Sequence, residues 1–299
     1  MANLKFEHEL SNRILVGDKE WEFSVPSLPS SKSLNSARFI KMITLVTKGN
    51  RHRLLLRIEP APSCRAISDP LDQFLLVSFS EFGPLRRSSA GTDANGGPQP
   101  NTNQERSEYM IRFLRAGIDI DGVQYNFYGH SNSQLKSRTC FLYAGSKQSI
   151  SMKLESMGDF TKIKNVTKKA KRIGLLFSAA DVAMNISSDM VKDIPDVKRQ
   201  GHVFTDGCGL IAPVLARDVA RQLGVAFRNR RYTPAVFQIR YLGYKGVVTV
   251  DPRMKGPKPS LKMRESMKKF TGGKDASFAV VEYSKVIPHT DLLISKASY

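Results

Sequence analysis

Hydrophobic residues in this chain fall into short runs broken by turn residues, with two stretches of helical spacing. Residues 74–79, Phe-Leu-Leu-Val-Ser-Phe, read as a buried strand, while the run at 39–46 is too short to assign between strand and helix. Residues 109–114 and 123–128 predict strands joined by the turn Asp121-Gly122. Over residues 159–179, Phe160, Ile163, Val166, Ala170, Ile173 and Phe177 recur at three- and four-residue steps, which predicts a helix with one apolar face. A second helix is expected over 213–223. Pro213 suits its first turn, Leu215, Val219 and Leu223 line one side, and Gly224 supplies the stop. Beyond Gly201 the runs at 202–204, 235–241, 246–250 and 277–283 are rich in β-branched and aromatic residues. One helix among several short strands argues for a compact β-barrel-like domain with a helical excursion.

Two stretches interrupt this pattern. Residues 26–36 are rich in Ser and Pro and predict a linker. Residues 83–108 carry almost no apolar side chains and predict a long, disordered insertion. The expected organisation is α+β: a mixed α/β region at 1–150 containing that insertion, a basic helical connector at 151–200, and a barrel-like domain at 201–299. No internal repeat is visible.

Composition sharpens the picture through charge. The 299 residues carry 46 Lys and Arg against 27 Asp and Glu, a formal net charge of +19, and 41% of them are hydrophobic. That length suggests about two domains, each able to bury a core. Residues 1–150 hold 19 basic and 14 acidic side chains, and residues 151–299 hold 27 and 13. The excess in a foldable second half points to a polyanion, nucleic acid before anionic lipid, with a solubilising surface as the competing account. No run approaches the roughly 20 apolar residues of a membrane span, and residues 1–10 have no signal-peptide core. Cys64, Cys140 and Cys208 are odd in number and far apart, which argues against a disulfide framework and fits an intracellular, reducing setting.

Most routes to chemistry close quickly. Asp119 and Asp121 could share a cation on one strand face, but Asp121-Gly122 is also a common hairpin turn, and no third carboxylate lies nearby. The five histidines are scattered without ligand spacing, and no Gly-x-Ser-x-Gly is present. Gly272-Gly273-Lys274 lacks the first glycine and the Ser or Thr of a phosphate loop. What remains is basic. Lys162, Lys164, Lys168, Lys169, Lys171 and Arg172 spread over the polar side of the expected 159–179 helix, as an RNA stripe or simply a solvated face. Arg240 and Lys245 lie within a strand-rich segment, and Lys262, Arg264, Lys268 and Lys269 follow within eight residues. Gly246, beside Lys245, would allow a phosphate backbone to approach closely. Such cations suit phosphate contact and neutralisation of charge in phosphoryl transfer. Lysines guarding a sheet edge would look the same.

Several blocks then occur in a telling order: Gly129-His130-Ser131-Asn132-Ser133-Gln134-Leu135, Met157-Gly158-Asp159-Phe160 and Gly174-Leu175-Leu176-Phe177-Ser178. They are followed by Phe204-Thr205-Asp206-Gly207-Cys208-Gly209-Leu210-Ile211, Phe237-Gln238-Ile239-Arg240-Tyr241, Gly243-Tyr244-Lys245-Gly246-Val247-Val248 and Ser266-Met267-Lys268-Lys269-Phe270. Together, across residues 112–288, they resemble the eukaryotic, gene-silencing type of RNA-dependent RNA polymerase. Leu242 stands where a glycine is usual, and Glu265 sits inside the last block, but neither departure removes a cation.

The resemblance implies a double-psi β-barrel for the last third of the chain, the first of two such barrels that face one another across the family's active site. It implies template-directed nucleotidyl transfer in RNA-mediated silencing, with single-stranded RNA and nucleoside triphosphates as partners and small-RNA silencing proteins as further ones. Lys245 and Lys269 fall on the family's two barrel lysines, expected at the nucleotide phosphates and the RNA 3′ end. RNA or nucleotide contacts are assigned to Arg240, Tyr244, Arg264, Lys268, Lys168 and Arg172. Magnesium is implied by the family only, because its Asp-x-Asp-Gly-Asp loop is absent from these 299 residues, and Asp119-Ile120-Asp121-Gly122 has Val123 where the third aspartate belongs. The sequence therefore reads as an incomplete part of such a polymerase, inactive alone. The alternative is a non-catalytic RNA-binding or regulatory protein that keeps the barrel as a scaffold.

Overall fold

A computed structural model describes residues 21–24, 38–48, 51–68, 70–85, 101–120, 122–227, 229–256, 258, 260–273 and 276–285. The expected linker at 26–36 and most of the expected insertion lie outside these residues. The chain divides into two units, residues 1–154 with 173–178, and residues 155–172 with 179–299.

The first unit is built on a mixed seven-stranded sheet. Its strands are β1 (Trp21–Ser24), β2 (Phe39–Lys48), β3 (Arg51–Pro60), β4 (Phe74–Ser80), β5 (Ile118–Ile120), β6 (Val123–Gly129) and β7 (Thr139–Ala144), in the order β1-β3-β2-β4-β7-β6-β5. The ambiguous run at 39–46 is thus strand, paired with β3 over ten residues. Alternation sends Leu75, Val77 and Phe79 into one core with Ile43, Leu45, Leu54 and Leu142. Phe74 faces the other way, where its ring meets those of Tyr128 at 5.7 Å and Tyr143 at 5.1 Å. On that side Phe177 packs edge-on against Tyr128 at 5.0 Å and lies parallel to Phe141 at 6.1 Å. A Cβ on Gly129 would stand 2.3 Å from the Phe177 ring, so only glycine admits it.

Helix Asn103–Ala116 corrects two expectations at once. Residues 103–108 belong to a helix rather than a disordered insertion, and residues 109–114 continue it rather than form a strand. Its start is set by a capping box. The Thr102 hydroxyl accepts from the Glu105 amide at 3.2 Å, and the Glu105 carboxylate accepts from the Thr102 amide at 2.8 Å. Tyr109, Met110, Phe113 and Leu114 then fall on one helical face and join the core. The apolar run at 109–114 imitates a strand because its two polar-side residues, Ile111 and Arg112, are adjacent. Short helix Asn132–Lys136 is closed by a second box between Ser131 and Gln134, and helix Lys147–Met157 runs into the second unit.

The second unit opens with β8 (Gly158–Asp159), and the long helix expected at 159–179 shrinks to Val166–Ile173. The Asp159 carboxylate accepts from the Thr161 amide at 2.8 Å and its hydroxyl at 2.6 Å, holding a turn where a helix was expected. The Asn165 side chain then starts the short helix by accepting from the Lys168 amide at 2.8 Å.

Further strands follow: β9 (Asp181–Asn185), β10 (Val191–Ile194), β11 (Lys198–Arg199), β12 (His202–Val203), β13 (Cys208–Ile211), β14 (Ala226–Phe227), β15 (Arg230–Arg231), β16 (Val236–Tyr241), β17 (Tyr244–Val250), β18 (Leu261–Arg264), β19 (Thr271–Gly272) and β20 (Ser277–Tyr283). The main sheet runs β10-β18-β13-β17-β16-β20-β9. Residues 151–200 are consequently no helical connector, since β9 and β10 are the two outer strands of this sheet. Ala183 and Met184 beside one edge, and Met190 and Val191 beside the other, border a single core of Ile211, Phe237, Ile239, Tyr241, Val248, Leu261 and Phe278. Two edges bordering one core fit a β-barrel. Helix Pro213–Gln222 is the expected excursion and buries Leu215, Ala216, Val219 and Ala220.

If Thr102 and Glu105 start a packed helix, Thr102→Ala should cost about 1 kcal/mol of local stability. Hydrogen exchange should then accelerate over residues 103–107 and leave β16 and β17 unchanged.

Candidate nucleic-acid site

The site is built around the tight turn between β16 and β17. Tyr241 opposes Tyr244, Arg240 opposes Lys245, and Ile239 opposes Gly246. The two turn residues, Leu242 and Gly243, have φ of 40° and 84°, as a two-residue hairpin loop requires. A Cβ on Gly243 would lie 2.1 Å from the Phe270 carbonyl oxygen, and the Gly243 carbonyl accepts from the Lys269 amide at 2.9 Å. The lysine turn and the Ser266–Phe270 block are therefore pressed backbone to backbone.

Gly246 serves a different purpose from the one expected. Its Cβ would stand 2.2 Å from the Gly207 carbonyl oxygen, which accepts from the Val247 amide at 2.8 Å. The close approach is made by the protein's own chain and not by a phosphate backbone.

Three more of the expected cations act on Lys245. Burial first, and then the charges of Arg240, Arg172 and Lys269, hold the Lys245 ammonium below the usual lysine value. The Arg240 side chain is buried and donates to the Ile239 carbonyl at 2.9 Å. The Lys269 ammonium donates to the Ser266 carbonyl. Lys168, one turn before Arg172, is exposed on the helix.

The remaining candidates are placed differently. Tyr244 alternates to the side opposite Lys245. Its hydroxyl donates to Asp193 at 2.6 Å, and burial followed by that carboxylate pushes its pKa up. Lys268 lies 5.5 Å from the centre of the Tyr244 ring, and both line a cleft of about 340 Å³ with Asp193, Tyr241 and Leu242. The Arg264 guanidinium donates to the Cys208 carbonyl at 2.9 Å and to the Pro195 carbonyl.

Asp196 escaped the sequence reading. Its carboxylate accepts from the Ser266 amide at 2.9 Å, the Ser266 hydroxyl at 2.7 Å and the Thr205 hydroxyl at 3.1 Å. Burial pulls its pKa up, but these hydrogen bonds and Arg264 outweigh it and leave the carboxyl below its usual range. Seventy residues separate Asp196 from Ser266, so no local spacing could have signalled the link.

The described residues offer no fit for the implied magnesium. Among the described residues no group of three or more His, Cys, Asp or Glu side chains could hold a metal ion. Asp119 accepts from the Gly122 amide at 3.0 Å, in keeping with a turn role.

Because Gly246 is packed against the Gly207 carbonyl, Gly246→Ala should destabilise the second unit by about 1–3 kcal/mol. Chemical denaturation followed by amide exchange at Val247 measures this, and an unchanged midpoint would contradict the packing argument.

A profile described as RNA dependent RNA polymerase matches residues 52–292. Probable RNA-dependent RNA polymerase 1 of Oryza sativa subsp. japonica is 34% identical over 234 residues, covering 75% of this chain and 30% of that protein. RNA-dependent RNA polymerase 1 of Arabidopsis thaliana is 34% identical over 229 residues, covering 75% of this chain and 20% of that protein. The chain thus spans less than a third of either relative. Among solved structures, the RNA dependent RNA polymerase QDE-1 from Thielavia terrestris superposes with a TM-score of 0.61 over 83% of this chain and 28% of its own, at 17% identity, a likeness of fold. On the extent of the profile match and on its relatives, the chain belongs to the RNA-dependent RNA polymerase family.

Proposed function

We propose that the second unit is the basic half of an RNA-directed nucleotidyl-transfer centre, a double-psi β-barrel that presents Lys245 and Lys269 to the nucleotide phosphates and the RNA 3′ end. The observation that carries this reading is the crowding of Arg240, Arg172 and Lys269 on a Lys245 ammonium already disfavoured by burial. A polyanion relieves that crowding. Preorganised cations of this kind stabilise charge that builds on a transferring phosphoryl group. Family membership and the parallel pairing of β13 with β17 support the assignment. Single-stranded RNA and nucleoside triphosphates are the proposed ligands, with small-RNA silencing proteins as partners of the whole polymerase. In that polymerase magnesium would stabilise the attacking and leaving oxygens. No step assigned to this chain's residues runs through it.

The proposal fixes the sign of two pH effects. An anion that binds Lys245 restores its proton, so affinity falls as pH rises through the lowered pKa of the free chain. In the unbound chain the native state holds fewer protons than the unfolded one above that pKa. The folding penalty from Lys245 is therefore full below it and fades as pH rises.

Equilibrium binding of single-stranded RNA by the 299-residue chain tests the reading. Log affinity should fall with log salt at about −0.7 per phosphate neutralised, and Lys245→Ala or Lys269→Ala should each reduce that slope by roughly one such step. Lys262→Ala serves as the mild control. Lys245→Arg should remove the alkaline loss of affinity, and Lys245→Ala should melt no lower than the parent at neutral pH. In a chimera with a complete polymerase, either alanine variant should lower single-turnover incorporation on the order of 10²–10³-fold. A salt-independent affinity, or a large fall in melting temperature in both variants, would overturn the assignment.

A further inference from the structure

Beyond the four-cation cluster, the second unit carries a projecting hairpin whose apolar residues face solvent. Lys198 pairs with Val203 and Arg199 with His202, and the Phe204 amide donates to the Val197 carbonyl at 2.9 Å. Its tip, Gln200 and Gly201, has φ of 50° and 79°. Phe204 is 68% exposed, Val197 51% and Val203 42%, so no core holds this hairpin in place.

An isolated two-stranded hairpin is marginal in water, and here its feet supply the order. Asp196 at one foot accepts from Thr205 at the other and from Ser266, while the Val197 amide donates to the Thr205 hydroxyl at 2.9 Å. Arg264 spans the same feet through the Pro195 and Cys208 carbonyls. The arm is therefore mounted on the Arg264–Lys269 segment, with its aromatic residue left uncovered.

Alternation along the two strands puts Val197, Arg199, His202 and Phe204 on one face. Arg199 and His202 sit one strand repeat beyond Phe204, about 7 Å along the hairpin, close to one nucleotide step in an extended strand. No carboxylate occurs from Val197 to Phe204, whereas Lys198 and Arg199 are cationic. An exposed ring beside cations is the arrangement that binds single-stranded nucleic acid without sequence preference.

We propose that this hairpin is a platform for single-stranded RNA, on which a base stacks against Phe204 while Arg199, with His202, takes the neighbouring phosphate. The inference rests on reading the second unit as RNA-binding, and the experiment separates the two.

The probe is a short fluorescein-labelled oligouridine, bound to the full 299-residue chain, beside an abasic oligomer of equal length. Phe204→Ala should weaken oligouridine roughly 5- to 150-fold, the range of one lost base stack, and leave the salt slope unchanged. Phe204→Tyr should bind as the parent does. Arg199→Ala should reduce the salt slope by about 0.7. The abasic oligomer should not distinguish the parent from Phe204→Ala. If Lys245→Ala weakens binding but Phe204→Ala does not, the platform is wrong and the proposed function stands. An equal loss for the abasic oligomer, or a loss in Phe204→Tyr as large as in Phe204→Ala, would also overturn the stacking role. No RNA binding by the parent chain would sink both readings.

Discussion

The Gly207 carbonyl lies where a side chain on Gly246 would otherwise stand, and it accepts the amide of Val247. That backbone-to-backbone approach joins the Phe204–Ile211 block to the lysine hairpin. The Gly243 carbonyl joins the same hairpin to Lys269, and Ser266 with Asp196 closes the circuit back to Thr205. Three segments far apart in the chain are thereby held in one place by contacts that involve no cationic head group. Arg264 adds a separate link, donating to the Cys208 and Pro195 carbonyls at the hairpin feet.

Crowding like charges costs stability, and the same two strands offset it. Arg240 directly opposes Lys245, a cross-strand pair of the kind that destabilises a sheet by roughly 0.2–1 kcal/mol. Phe237, Ile239, Tyr241 and Val248 on those strands are buried in one core, and each contributes about 1.5–3 kcal/mol. The apolar term wins by a wide margin, so the unit can carry a repulsive face without unfolding. Burial first, and then the neighbouring cations, keep the Lys245 ammonium below the usual lysine value.

In the first unit, two of the family blocks meet each other. Gly129 ends β6 and Phe177 comes from the segment after the short basic helix, yet the glycine provides the space that the phenylalanine ring fills. The Ser131 and Gln134 of the first block close a helix start by reciprocal hydrogen bonds. Packing explains Gly129 and Phe177, and capping explains Ser131 and Gln134.

Local physics determined much of what could be read from the residues alone. The buried strand at Phe74–Ser80, the strand at Ser277–Tyr283 and the helix at Pro213–Gln222 follow from hydrophobic pattern, Pro at a helix start and Gly after its end. The family was legible because its blocks are contiguous in sequence and occur in order. The helix at Asn103–Ala116 was masked by a strand-like apolar run, and its capping box sat inside a polar stretch taken for an insertion. The helix expected over 159–179 begins only at Val166, because Asp159 holds a turn with Thr161 and Asn165 caps the helix start, whatever the apolar spacing. Only the tertiary structure could decide that β9 and β10 border the sheet. The same holds for Gly246 receiving a carbonyl rather than a phosphate, and for Asp196 clamping a serine seventy residues away. Those facts depend on which segments become neighbours. A sequence records the chemistry of each residue, but distances between remote residues exist only once the sheet has closed on its core.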